Sequence, residues 1–238
     1  MSPGESNSRE QQEPTVVCPK RAAANTSAAD FLPQRRTISS LRKAAQDCRG
    51  CALYQNATQT VFGEGAVRAG LLLIGEQPGD QEDLQGRPFV GPAGKLLTEA
   101  LEAAAIERDE VYVTNAVKHF KWTPRGKRRL HAKPSSREVA ACRPWLEAEI
   151  EAIEPQVIVC LGATAAQSLL GPSFRITRQR GEILASDWAP ALVATYHPSA
   201  ILRAPDPAER DALRSLFADD LKLAGKALQN AARRRPAK

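Results

Sequence analysis

What this sequence lacks narrows what it can be. It has no run of about 18 apolar residues, so no segment is expected to span a membrane. The opening residues, MSPGESNSREQQEP, contain no apolar core of a leader, and secretion by that route is not expected. No internal repeat is visible, which argues against a solenoid or propeller. Cysteine is sparse and odd in number, five in 238 residues. In a chain of cytoplasmic character this argues against a disulfide framework and for metal binding or free thiols. What is present suits one good-sized domain with tails: 42% of residues are hydrophobic, and the net charge is +6. That charge, with a pI near 9.2, fits a polyanionic partner such as nucleic acid but is weak support alone. A cytoplasmic monomer with no membrane partner is expected.

Residues 1–36 are rich in Ser, Pro, Gln, Glu, Ala and Arg and show no apolar periodicity. They read as a disordered or loosely attached extension, with Cys18 as a free thiol. A domain is expected over 37–232, and 233–238 form a basic tail. Short apolar runs predict buried strands at Leu71–Ile74, Val111–Thr114, Val157–Leu161 and Ala191–Thr195. Helical patterns follow at about 93–105, from Ser135 or Ser136 to about Ile153, and from about Pro207 to Ala232. Thr58–Gly70 reads as a hairpin or loop, and Arg180–Leu184 as a short edge strand. Strands alternating with helices indicate an α/β domain with a four-stranded, mainly parallel sheet. Its strands end near Gly75, Asn115, Gly162 and His197.

The chain is organised around Leu71–Leu97, LLLIGEQPGDQEDLQGRPFVGPAGKLL. A buried strand ends in Gly75. An acidic loop follows with Glu76, Asp80, Glu82 and Asp83, then a turn carrying Phe89, then a helix with Pro92 at its start. Ligands of open α/β sheets bind outside the carboxyl ends of strands, which puts Glu76–Phe89 at the mouth of a site. GEQPGDQED followed by GRPFVGPAG resembles motif A of the family 4-type uracil-DNA glycosylases. Gln77, where that motif usually has Ala, together with Asp80, is similar to the UdgX branch, which crosslinks itself to uracil-containing DNA. The resemblance covers about Ser39 to Arg203 and implies a three-layer α/β/α sandwich.

Cys48 and Cys51 form a C-x-x-C pair, and Cys142 and Cys160 are widely spaced. Four soft thiolates suit zinc or an iron–sulfur cluster, and the residues alone do not choose. The pattern resembles the family 4 [4Fe–4S] site, which implies these four as ligands, in a structural role.

For the base, an amide supplies the donor and the acceptor that a uracil edge requires, so Asn115 is the natural reader and Phe89 the stacking partner. The resemblance assigns both to the uracil pocket, with Gln77 beside them. His197, in His-Pro-Ser, resembles motif B, where this histidine stabilises departing uracil. Glu76, Gln77 and Asp80 then face the sugar; Glu76 is the leading carboxylate for stabilising positive charge there. The segment Lys118–Lys133 is dense in Lys and Arg. A basic run is usually a backbone-binding patch, and Lys127, Arg128 and Arg129, with Ser199, are expected to contact DNA. Gly126–Pro134 is also similar to the inserted arginine-rich loop of UdgX, whose histidine attacks the sugar; here that residue is His131. Arg129 and Lys133 are expected to keep its imidazole neutral. The leading expectation is uracil excision with a covalent His131 adduct. The alternatives are a turnover glycosylase using water, and a nucleic-acid-binding module with a structural metal.

Overall fold

Four apolar pentapeptides set the architecture, because strands buried on both faces read as continuous hydrophobic runs. The computed structural model of the protein describes residues 27–234. After a 3-10 turn at Ala28–Phe31 come α1 (Ile38–Ala45), the short strand β1 (Glu64–Gly65) and β2 (Leu71–Gly75). Next are α2 (Asp80–Gln85), α3 (Pro92–Ala103) and β3 (Val111–Asn115). A hairpin of β4 (Trp122–Arg125) and β5 (Arg128–His131) precedes α4 (Ser136–Ile153) and β6 (Val157–Leu161). Then α5 (Ala163–Leu170), α6 (Ile176–Gln179), β7 (Ile183–Leu184) and β8 (Ala191–Thr195) lead to α7 (Pro198–Leu202) and α8 (Pro207–Arg234).

The main sheet has the order β1-β3-β2-β6-β8-β7. β3, β2, β6 and β8 are mutually parallel; β1 and β7 pair antiparallel at the two edges. The sheet thus has six strands, not four. The two extra ones are two-residue edge segments: β7 falls within the edge strand expected at Arg180–Leu184, and β1 within the stretch read as a hairpin or loop. Alternate residues face opposite sides: Leu72, Ile74, Tyr112, Ile158 and Leu192 pack with the buried residues of α1, α4 and α5. Leu71, Leu73, Val113, Val159 and Val193 pack with those of α3 and α8. Helices therefore cover both faces, giving the expected three-layer sandwich. In α8, Phe217 and Leu221 are buried but Leu216 stays 38% exposed, so the apolar stripe is narrower than the sequence implies.

The chain leaves β2 toward β3 on one side and returns to β6 on the other. Strand order reverses between β2 and β6, and such a switch point opens a crevice at the carboxyl ends of the strands. Glu76 and Gly162 stand at its rim.

The segment expected to be loosely attached is docked from Ser27 onward. Ser27 caps the 3-10 turn, Ala28 is buried in the core, and Arg36 pairs with Glu151 at 2.9 Å. Phe31 and Leu32 pack against the same core, an anchoring too short to show as a pattern. Cys18 and the end of the basic tail lie outside the described residues. The Lys- and Arg-rich stretch, read as a loop, is a β-hairpin with Trp122 opposite His131 and Arg125 opposite Arg128. Its outward positions are charged rather than alternately apolar, so the period-two signal is missing. Among the described residues no helix is long and apolar enough to cross a membrane.

Candidate active site

Gly75 closes β2 in register with Asn115 of β3. A Cβ on Gly75 would lie 2.2 Å from Asn115 Oδ1 and 2.7 Å from the Phe89 ring, so only glycine leaves room for these two side chains to meet. Asn115 is buried, and its Oδ1 has no hydrogen-bond partner. An unpaired buried acceptor costs about 1–3 kcal/mol, and it marks a place where a ligand donor belongs. The Phe89 backbone has φ 55°, uncommon for a non-glycine residue. Its ring stacks near His197, with centroids 6.0 Å apart and planes at 27°.

His197 follows β8 and caps α7. Its Nδ1 accepts from the Ser199 N–H at 3.1 Å and lies 2.8 Å from Ser199 Oγ. With Nδ1 the acceptor, the proton of the neutral ring belongs on Nε2. Burial pushes the His197 pKa down to about 4, and Arg203 and His131 act in the same direction. His197 is therefore a neutral donor at pH 7.

Across the crevice, Glu76 accepts a hydrogen bond from Thr164 Oγ1, and its Oε1 lies 3.5 Å from His131 Nε2. His131 Nε2 is 2.9 Å from Gln77 Nε2. An amide nitrogen only donates, so this imidazole nitrogen carries the lone pair. The His131 pKa is lowered chiefly by burial and also by Arg203, while Glu76 opposes the shift. The cations expected to keep His131 neutral do not act as foreseen. Arg129 is itself neutralised, its Nε 2.7 Å from Asp80 Oδ1 and its Nη1 2.6 Å from Asp83 Oδ2. Its guanidinium also stacks over Phe120 and Trp122, at 5.5 and 5.7 Å from their ring centroids.

Gln77, Asp80, Arg129 and Ser199, expected at the base, the sugar or DNA, each hold a contact within the protein. Gln77 Oε1 accepts from Lys121 N–H at 3.1 Å, and its amide N–H groups reach Lys121 O, Ala132 O and His131. This amide is engaged with the hairpin segment rather than with a base. Asp80 clamps Arg129, and with Asp83 it ties the hairpin to α2. Arg129 and His131 alternate onto the same hairpin face, so the clamp holds His131 over Glu76. The Ser199 hydroxyl is occupied with His197. Lys127 and Arg128, at the exposed hairpin tip, form no ion pair among the described residues, which leaves their charges open to phosphate. Thr164 and Arg203 escaped the sequence reading, since each comes from an element remote in the chain and carries no motif of its own; Asp83 was read only as one acid of the motif, without its partner Arg129.

Cys48, Cys142 and Cys160 are buried, Cys51 is partly so, all four thiols are free, and all belong to one core cluster. Trp145 Nε1 donates to Cys48 Sγ at 3.2 Å, and Lys118 N–H donates to Cys142 Sγ at 3.3 Å. Burial pushes the Cys142 and Cys160 thiols up to about 12. Among the described residues, no three His, Cys, Asp or Glu side chains stand close enough to hold a single metal ion. Cys48 and Cys51 lie near enough to Cys142 to raise its pKa further, and the Trp145 and Lys118 N–H donors to sulfur suit thiolate ligands.

The sequence compares closely with known proteins. It is 43% identical over 159 residues to the type-4 uracil-DNA glycosylase of Thermotoga maritima, covering 66% of this chain and 78% of that protein. It is 37% identical over 196 residues to the type-4 enzyme of Archaeoglobus fulgidus, covering 79% and 92%. It is 36% identical over 194 residues to that of Sulfurisphaera tokodaii, covering 78% and 82%. A family profile matches residues 62–222, which run from just before β1 into α8 and contain the whole crevice. With that span matched, the chain belongs to the uracil DNA glycosylase superfamily.

Proposed function

We propose that this protein excises uracil from DNA and retains the abasic sugar as a covalent adduct of His131. The observation that carries the reading is the placement of a neutral His131 Nε2 beside Glu76, across the crevice from the Asn115–Phe89–His197 pocket. An extruded uracil stacks on Phe89 and gives its N3–H to the unpartnered Asn115 Oδ1. As the C1′–N1 bond lengthens, negative charge collects on the base, and the His197 Nε2–H stabilises it. The Glu76 carboxylate stabilises the positive charge on the sugar.

His131 Nε2 gives its lone pair to C1′ while the C1′–N1 electrons leave with uracil, which then takes a proton from solvent. The product is a C1′–Nε2 bond on an imidazolium that sheds its Nδ1 proton. An N-alkylated imidazole is a poor leaving group, so the adduct persists. Gln77 and Asp80 serve by holding the hairpin, and Arg129 belongs with them. Lys127 and Arg128 meet phosphate. Cys48, Cys51, Cys142 and Cys160 hold a [4Fe–4S] cluster, which when bound ties the first described helices to α4 and β6. The catalytic domain is 37–232, with the segment from Ser27 packed onto its core, acting as a monomer.

A second reading has its own support. The similarity to type-4 glycosylases favours a turnover enzyme in which water takes the place of His131. Incubation with uracil-containing single-stranded DNA, followed by denaturing electrophoresis, separates the two. Wild type should give a denaturation-resistant complex that mass spectrometry maps to His131. His131→Ser should lose the complex but still release uracil. Uracil release by wild type without any adduct refutes the first reading and supports the second.

A further inference from the structure

Beneath Asn115 lies a charged pair that the chemistry above does not use. The Lys118 and Glu149 side chains are both 0% exposed. The Lys118 ammonium spends its three donors on Thr114 Oγ1 at 2.7 Å, the Asn115 carbonyl at 2.7 Å, and Glu149 Oε2. Glu149 also accepts from the Tyr112 hydroxyl at 2.9 Å, the Thr114 hydroxyl, and the Gly63 N–H at 3.1 Å. A Cβ on Gly63 would lie 2.3 Å from Glu149 Oε1, so glycine lets that backbone N–H come within reach. The ammonium further sits 5.5 Å from the centroid of the Phe62 ring. Every donor and both carboxylate oxygens are engaged.

A buried ion pair adds little net stability over apolar residues of the same volume, because desolvation offsets the attraction. What a satisfied network supplies is a fixed geometry. The backbone carbonyl it grips belongs to the residue whose side-chain oxygen is the unpaired acceptor of the pocket.

We propose that Lys118 is a positioning residue for base recognition: its ammonium locks the Asn115 peptide, and so aims Asn115 Oδ1 at the uracil N3–H, while Glu149 fixes Lys118. This rests on the uracil-excision reading above, so wild-type uracil release is measured first. A wild type that releases no uracil overturns that underlying reading.

The test is single-turnover uracil release from DNA. Its amplitude reports the folded fraction, and its rate reports the pocket. Lys118→Met with Glu149→Gln removes both charges at nearly constant volume. In this double variant the maximal rate should fall about tenfold or more, and inhibition by free uracil should weaken in parallel, while half-saturating DNA stays within about twofold. Tyr112→Phe removes a different hydrogen bond to Glu149 and leaves the Lys118 donors intact. It should lower the melting temperature and leave the rate within about twofold. If the double variant does not fold, Thr114→Val, which deletes one acceptor of the same ammonium, takes its place with a rate loss of about threefold. A wild-type rate and wild-type uracil inhibition in the folded Lys118 variant, or in Thr114→Val where that stands in, overturns the proposal. Equal rate losses in that variant and in Tyr112→Phe overturn it as well.

Discussion

Arg129→Ala separates a DNA-binding arginine from a structural clamp. In the folded protein Arg129 is 20% exposed and bridges Asp80, 42% exposed, and Asp83, 0% exposed. The Asp80 bond is of the surface kind and contributes about 0–1 kcal/mol. The Asp83 bond involves a buried carboxylate; losing a charged hydrogen bond of this kind costs about 1.5–3 kcal/mol. Stacking over Phe120 and Trp122 adds about 0.5–1 kcal/mol. Together the truncation should weaken hairpin docking by about 2–5 kcal/mol, a sum of terms that need not be additive. The Gln77 bonds and the Ala132 N–H to Lys121 O bond remain, so the hairpin should loosen without global unfolding.

The rate of adduct formation should therefore fall about 30- to 4,000-fold, since each 1.4 kcal/mol is tenfold, with uracil release affected much less. The assay is a single-turnover time course on denaturing gels, run beside free-uracil release and a salt titration of DNA binding. The salt slope should be unchanged in Arg129→Ala, but should fall by about one in Lys127→Ala or Arg128→Ala, whose charges are free to meet phosphate. A wild-type adduct rate in Arg129→Ala, or a slope reduced by about one with the rate intact, refutes the clamp.

Asn115→Asp replaces an amide with a group that cannot donate to a uracil carbonyl; excision should fall by about 5- to 150-fold, equivalent to 1–3 kcal/mol, and an unaltered rate removes Asn115 from the pocket. Adduct formation needs neutral His131, whose pKa lies below the ordinary imidazole value of 6.5. The rate should rise with pH, reach half its plateau below pH 6.5, and be flat at neutrality; a midpoint above 6.5 contradicts this. His197, with a folded pKa of about 4, should add a stability loss as pH falls from 6.5 toward 4, because the unfolded chain binds that proton first; melting temperature against pH checks it. Purified protein should contain about four irons and four sulfides, lost in Cys142→Ala, while Cys18→Ala keeps them; zinc without iron in anaerobic preparations contradicts the cluster.

The sequence by itself determined the four buried strands, because a strand covered on both faces reads as a near-continuous apolar run. It also determined α3, α4 and α8 and the motifs that gather at one sheet edge, but not α2, whose acidic residues Asp80–Gln85 read as a loop. Gly75, Glu76, Asn115 and His197 were legible as candidates because strand ends are where an α/β sheet exposes chemistry. Of the two edge strands, Ile183–Leu184 falls within the segment read as an edge strand, while Glu64–Gly65 was not legible, being too short to carry a pattern. Nor was the docking of Ala28 and Phe31, which rests on a few side chains meeting a distant core. Tertiary structure alone decided which groups Gln77, Asp80 and Arg129 meet. A carboxylate beside a motif can face a substrate or an arginine, and only the approach of a hairpin tens of residues away settles which. The same holds for Lys118, unremarked within a basic stretch: Lys127 and Arg128 of that stretch are exposed, while the Lys118 ammonium is buried against a glutamate from α4.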